Sequence, residues 1–333
     1  MKILNLVYPD KSDITYKVSN FPDGQQNIVI EEVSLRKAAG TLPCKYECDC
    51  VNPANYPYQI KSHLNNFRDL ELIICAVASL RELGVEEIHL YTPYIMGARS
   101  DRKFEEGGNN YLKDVICPII NLLNFKTVTC IDPHSDVLEA CIKGFRKESN
   151  ERLIKWGIAR CYDHILKASG TSDKRIDLVD DRYILVSPDA GASHKIYKLA
   201  EQIGYKGDII TCSKDRDENG RLTKCVVPLS KKLLLSHPSK DYIIIDDICD
   251  GGATFINIAK EIQNEINIWN DEEGFVDKIT SKIYLIVTHG IFSKGLEVLF
   301  EYFDGIYCTN SYDQFTIDTE DPLNQRFKQL NVF

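Results

Sequence analysis

The sequence predicts an α/β protein of two domains, each a mainly parallel sheet flanked by helices. Short apolar runs of strand length alternate with longer runs whose apolar residues recur at helical spacing. Parallel strands need long crossover connections, which helices supply, so repeated alternation means parallel sheets covered by helices. The alternation pauses around residues 150–180 and then begins again. With 333 residues the chain can bury about two cores. The expected domains are 1–160 and 161–333.

Residues 3–7 are short and apolar and read as a first strand. The single lysine before them and Pro9-Asp10 after them do not make a secretion signal. Residues 27–33 alternate in part and lead into a polar, cysteine-containing loop. Over 63–83 the apolar residues fall at 67, 70, 73, 74, 77, 80 and 83, a helical period closed by Gly84. Residues 87–92 form the next strand. A helix over 111–123 contains Pro118, which bends or breaks it. Strand 127–131 and helix 151–168 end the first series. The second runs through strand 183–187, helix 194–203, strand 208–212, a charged turn at 215–220 and strand 223–227. Strand 242–245, a helix after Thr254, strand 283–287, a helix near Leu296 and strand 305–309 complete it.

Composition excludes several classes. Hydrophobic residues make up 44% and charged residues 27%, as in ordinary globular proteins. A net charge of -9 argues against a general nucleic-acid binder. No apolar run approaches the roughly 20 residues that span a bilayer. Of twelve cysteines, Cys75, Cys117, Cys130 and Cys225 sit in apolar runs, which suits a reducing cytoplasm. Cys44, Cys48 and Cys50 lack paired CxxC spacing, so zinc is not expected there.

One stretch organises the chemistry. Asp241-Tyr-Ile-Ile-Ile reads as a buried strand and is followed by Asp246, Asp247, Ile248, Cys249, Asp250, Gly251, Gly252, Ala253 and Thr254. Phe255, Ile258, Ala259 and Ile262 then recur at helical spacing. Backbone N–H groups of such a turn and helix start hold an anion. Carboxylates do not hold phosphate, so the three acids are expected to face hydroxyls or a metal. A phosphorylated ribose has both needs. The stretch resembles the phosphoribosyl-pyrophosphate loop of type I phosphoribosyltransferases and of ribose-phosphate pyrophosphokinases.

Other motifs carry the same resemblance, in family order. Residues 93–103, PYIMGARSDRK, are similar to the PYFGYARQDRK stretch at the ATP site of the pyrophosphokinases. Pro93, Tyr94, Ala98, Arg99, Asp101, Arg102 and Lys103 match, while Ser100 replaces a common Gln. A basic run alone is more often a solvated face. Asp132-Pro133-His134 resembles the family's Asp-Leu-His. That resemblance makes His134 a ligand of ATP-bound magnesium, oriented by Asp132, although a lone histidine is more often structural and magnesium prefers oxygen. Phe21, Pro22, Asp23, Gly24 and Gln25 resemble a loop that borders the adenine of ATP and serves a neighbouring subunit. Gln25 stands where Glu is usual, and by itself Pro-Asp-Gly is simply a turn. Ser187-Pro188-Asp189-Ala190-Gly191 matches the Ser-Pro-Asp-Ala-Gly signature. It makes Asp189 a holder of metal-bound phosphate, a role compatible with capping the next helix. Lys214 and Arg216 resemble the Lys-x-Arg catalytic loop. Residues 288–293 and 309–311 echo Thr-His-Gly-x-Phe-Ser and Thr-Asn-Thr.

The resemblance implies two phosphoribosyltransferase-like domains and Mg²⁺ as the cofactor, bound by His134 and Asp189. It implies pyrophosphoryl transfer from ATP to the anomeric hydroxyl of ribose 5-phosphate, giving PRPP and AMP. ATP would meet Phe21, Asp23, Gln25, Arg99, Ser100, Asp101 and His134. The acceptor would meet Asp246, Asp247 and residues 250–254, and Lys214 and Arg216 would be catalytic. The family loop reads Asp-Thr-Gly-Gly-Thr, whereas here Gly251 replaces the first Thr. That opens space at the 5-phosphate and raises ADP-ribose, the acceptor in NAD⁺ rebuilding, as an alternative. A phosphoribosyltransferase would have no use for Arg99, His134 and the Phe21 loop. A non-catalytic regulatory homologue would be expected to lose Lys214 and Arg216. A homo-oligomer, dimer or higher, is expected, with neither nucleic acid nor membrane as partner. The segment after His134 lacks the family's Gln-Ile-Gln-Gly-Phe-Phe, so hexamers and allosteric regulation do not follow.

Overall fold

The computed structural model of the chain describes residues 1–32, 34, 56–162, 182–216, 222–229, 240–273, 278, 280–315 and 324–333. They divide into two compact units, Met1–Ser149 with Asn331–Phe333, and Asn150–Leu330. The Cys44, Cys48 and Cys50 group lies outside the described residues.

The first unit contains β1 (Lys2–Asn5), β2 (Tyr16–Asn20), β3 (Gln26–Ile30), β4 (Tyr58–Lys61), α1 (Phe67–Glu82), β5 (Ile88–Tyr91), α2 (Cys117–Leu122), β6 (Thr127–Ile131), α3 (Val137–Cys141) and β7 (Phe145–Glu148). Its sheet runs β1-β4-β5-β6-β7, every pair parallel. Strands β2 and β3 form a separate antiparallel hairpin. Helix α1 begins at Phe67, not at residue 63, because the Asn66 side chain accepts from the N–H groups of Arg68 and Asp69 and caps it. Its buried stripe is Leu70, Ile73, Val77 and Leu80, each contributing about 1.5–3 kcal/mol of burial. Pro118 marks a break in the helix expected over 111–123: a wider i→i+5 turn, Leu112–Ile116, precedes it, and α2 starts at Cys117 with the proline in its first turn.

The second unit contains α4 (Glu151–Cys161), β8 (Tyr183–Ser187), α5 (Ala190–Ile203), β9 (Ile209–Thr211), β10 (Ser213–Arg216), β11 (Leu222–Val226), β12 (Asp241–Cys249), α6 (Ala253–Glu273), β13 (Ile283–Gly290), α7 (Glu297–Phe300), β14 (Gly305–Thr309) and β15 (Phe327–Leu330). Its sheet runs β15-β14-β13-β12-β8-β9, again parallel throughout. Strands β10 and β11 pair as a hairpin.

The division differs from 160/161 at both ends. Leu153, Ile154, Ile158 and Cys161 of α4 pack into a core with Leu185 of β8 and Ile286 of β13, so that helix belongs to the second unit. The last three residues return to the first unit. The Phe333 ring lies edge-on to His63 with centroids 4.6 Å apart, and the Tyr91 hydroxyl donates to the Val332 carbonyl at 2.9 Å. No helix among the described residues is long and apolar enough to cross a membrane.

Candidate functional site

Strand β12 lies inside the second sheet and continues through the acids instead of ending before them. Pairing with β13 carries it on, with Asp246 opposite Val287, Ile248 opposite His289 and Cys249 opposite Gly290. Alternation along a strand then sends adjacent Asp246 and Asp247 to opposite faces. Asp247 is 5% exposed, and its Oδ2 lies 2.5 Å from Nζ of Lys195 on α5. Asp246 is half-buried and accepts the Asp247 N–H at 2.9 Å. The three acids therefore do not act as one open set. Asp246 and Asp250 remain half-exposed at the strand end, while Asp247 is turned inward to a lysine.

The turn into α6 is built from glycine for stated reasons. Gly252 is buried with φ +77°, and a Cβ there would lie 2.6 Å from Leu299 Cδ2. Both the left-handed backbone and the close approach require glycine. Its carbonyl accepts the Ile256 N–H at 3.0 Å, the first bond of a 21-residue helix. Ala253 and Thr254 form the helix start, Ala253 exposed and Thr254 half-buried. The positive end of the helix thus lies beside Asp250 and Gly251, beyond the carboxyl end of a parallel strand, where open α/β sheets bind ligands.

Two echoed motifs support this corner from below. His289 and Ser311 are buried, and His289 Nδ1 lies 2.7 Å from Ser311 Oγ. The Thr309 hydroxyl donates to the Thr288 carbonyl at 2.6 Å. This network ties the ends of β13 and β14 together. The loop after β13 is in turn fastened to β12, because the Ile291 N–H donates to the Cys249 carbonyl at 2.8 Å.

Asp189 is the N-cap of α5, its Oδ1 accepting the Ala192 N–H at 2.8 Å. Lys214 and Arg216 lie on β10. Lys214 pairs with Cys225 and Arg216 with Leu222, with a register shift between Asp215 and Arg216. The expected turn at 215–220 therefore starts as strand, and residues 217–220 lie outside the described residues.

In the first unit the Phe21 loop is the tip of the β2–β3 hairpin. The Gly24 N–H donates to the Phe21 carbonyl at 2.9 Å, and Asp23 Oδ1 accepts the Gln25 N–H at 3.2 Å. Phe21 is 51% exposed, a ring presented to whatever approaches the tip. After β5, residues 91–96 are buried and Arg99 is exposed, with Ser100 and Asp101 half-buried. The Ser100 N–H donates to the Gly97 carbonyl at 2.8 Å. Arg102 stacks on the Phe104 ring, 5.6 Å from its centroid, and is engaged at the surface. At the end of β6, Asp132 is buried with φ +41°, and His134 beyond it is exposed. A left-handed aspartate at a strand end is a strained residue of the kind that clusters at functional sites. Among the described residues no group of three or more His, Cys, Asp or Glu is arranged to hold a metal. His134 and Asp189 belong to different units.

No protein-family model matches the chain. It is 27% identical to the ribose-phosphate pyrophosphokinase of Saccharolobus solfataricus over 246 residues, 73% of this chain and 70% of that one. The Mycoplasmopsis pulmonis enzyme of that name is 24% identical over 81% of this chain and 71% of its own length. That of Thermosipho africanus is 24% identical over 92% and 83%. The fold matches the crystal structure of phosphoribosylpyrophosphate synthetase from Mycobacterium smegmatis, with TM-score 0.68 and 15% identity over 97% of this chain and 88% of that one. The chain is similar to ribose-phosphate pyrophosphokinases along most of its length.

Sequence reasoning singled out this loop but missed the residues around it. Lys195 lies six positions after Asp189, in a helix whose other polar residues read as solvated. Its partner Asp247 is 52 residues away, and no local spacing signals the pair. Lys294 was missed for the same reason, although its contact with Gly251 sits at the one irregular position of the loop.

Proposed function

We propose that the protein transfers the β,γ-pyrophosphoryl group of Mg-ATP to the anomeric hydroxyl of ribose 5-phosphate, giving PRPP and AMP. The observation that carries this reading is the corner at the end of β12, where half-exposed Asp246 and Asp250 adjoin a glycine turn and the start of α6. The acids match sugar hydroxyls, and the amides of residues 251–254 match the phosphate on carbon 5. The hydroxyl oxygen bonds to the β-phosphorus, and the bond from that phosphorus to the bridging oxygen of AMP breaks. Such a transfer needs positioning and charge neutralisation more than covalent chemistry.

Arg99, Ser100, Asp101 and His134 are assigned to ATP, with Phe21, Asp23 and Gln25 at its base. The exposed Phe21 ring suits stacking on adenine of a neighbouring copy in a homo-oligomer. Lys214 and Arg216 are assigned to the transferring group. Magnesium enters with ATP. It typically binds one or two carboxylates, substrate phosphates and waters, and Asp189, at the carboxyl end of β8 and the start of α5, is the carboxylate assigned to it. Cys75, Cys117, Cys141 and Cys308 are in no disulfide, in keeping with a cytoplasmic protein.

A second acceptor is favoured by one observation. Gly251 stands where the family loop has a threonine, so the loop lacks that hydroxyl donor to the acceptor phosphate. The same transfer to ADP-ribose, whose esterified phosphate carries less charge than a monoester, would need fewer donors there. Purified protein with ATP and Mg²⁺ is given ribose 5-phosphate or ADP-ribose in separate reactions, and AMP and the pyrophosphorylated sugar are followed together. AMP and PRPP from ribose 5-phosphate support the main reading. Product from ADP-ribose alone reassigns the acceptor, and no AMP with either refutes pyrophosphoryl transfer.

A further inference from the structure

The turn after β13 is fixed by Phe292. Its buried ring packs against Phe315 and Phe327, with centroids 5.6 and 5.8 Å away. Its backbone is left-handed at φ +47°, a conformation a bulky residue holds only when its surroundings impose it. The Phe292 N–H donates to the Cys249 carbonyl at 3.2 Å, and the Gly295 N–H closes the turn on the Phe292 carbonyl at 2.9 Å. The turn is thereby hooked to the residue just before Asp250.

Lys294 rides on this turn, and its stem crosses the bare face of Gly251. A Cβ built on Gly251 would lie 3.4 Å from both Cδ and Cε of Lys294 and 3.6 Å from Cγ. A methyl group would just touch the stem, and a longer or branched side chain would have to push it aside. The lysine itself is exposed while its methylenes lie on the loop, the arrangement by which a long cationic side chain covers a surface and keeps its charged head accessible.

Electrostatics give that ammonium a task. Helix α6 offers about half a positive charge at its start, while a phosphate monoester brings close to two negative charges. Asp246 and Asp250 add repulsion at the same corner. A compact cation over the loop offsets that imbalance, and lysine serves phosphate as a point charge. We propose that Lys294 binds the phosphate on carbon 5 of the acceptor, and that Gly251 is side-chain-free so that its stem can lie across the loop. This rests on the pyrophosphokinase reading and adds to it a phosphate-binding residue outside the loop.

Lys294→Met keeps the stem and removes the charge, so the turn stays packed. Steady-state rates of AMP formation are measured for the wild type, Lys294→Met, Lys294→Arg and Gly251→Val, varying the acceptor and then ATP. The acceptor KM of Lys294→Met should rise about tenfold to a hundredfold, as expected for a lost charge-assisted contact. Its ATP KM and its kcat at saturating acceptor should stay within about twofold of the wild type. Lys294→Arg should restore most of the affinity, and Gly251→Val should reproduce the KM defect by displacing the stem. An unchanged acceptor KM in Lys294→Met, with the wild type active, overturns the role of Lys294 and leaves the function standing. A wild type that forms no AMP with either acceptor overturns both.

Discussion

Lys195 of α5 holds Asp247 of β12 at 2.5 Å, pairing a partly exposed ammonium with a buried carboxylate in the middle of the acidic strand end. The pair makes the two adjacent aspartates unequal, Asp247 bracing helix against sheet while Asp246 faces the open corner. Lys195→Met removes the charge and keeps the chain length. It should lower stability by about 1–3 kcal/mol, the usual cost of stranding a buried polar partner. Urea unfolding at neutral pH measures this. A midpoint equal to the wild type would mean that the pair contributes nothing in solution.

Gly252 and Gly251 are neighbours with different reasons to be glycine. Gly252→Ala forces a Cβ to 2.6 Å from the buried Leu299 and into a left-handed backbone at φ +77°. The expected loss is about 1–3 kcal/mol. Gly251→Ala meets only ordinary contacts at 3.4 Å and should change stability by about 0.5 kcal/mol or less. Thermal unfolding of the two variants side by side tests the contrast. Equal losses would show that the tight approach of Leu299 relaxes.

Asp241 opens β12, and burial raises its carboxyl pKa above the ordinary 3.8, against the opposing pull of the Lys282 amide. That amide donates to Asp241 Oδ1 at 2.9 Å. A carboxyl whose folded value is raised binds its proton more tightly when folded. Its contribution is complete below the unfolded value and is lost as pH rises through the folded value. Asp241→Asn keeps an acceptor for the amide and removes the titration. The variant should therefore gain on the wild type as pH rises above about 4, read as urea midpoints at each pH. A difference that stays constant with pH would contradict this.

Lys214 is assigned to the transferring pyrophosphoryl group, where one well-placed cation is worth about 3 kcal/mol. Lys214→Ala should lower turnover at least about a hundredfold with the unfolding midpoint unchanged. Near-normal turnover would remove it from the mechanism.

Much of the fold was legible in the sequence. Strands β6, β8 and β14 match the expected bounds because each is a buried apolar run whose burial needs no partner to be recognised. The strands that were not expected lack that signal. β7 reads Phe-Arg-Lys-Glu and lies at a sheet edge with three exposed positions, so its residues look like a loop until β6 pairs with them. β4 is only four residues long, too short for a period.

Within the site, composition and order alone pointed to Asp250, Gly251 and Gly252 as a phosphate turn, because a strand, acids, glycines and a helix start are local features. Tertiary structure decided how those residues divide the work. Pairing with β13 carried β12 through the acids and set Asp246 and Asp247 on opposite faces. A helix laid on the sheet brought Lys195 to Asp247, and a turn hooked to Cys249 laid Lys294 across Gly251. These partners are far apart along the chain. Only closure of the parallel sheet brings them together, and sheet closure is a non-local event that no window of sequence contains.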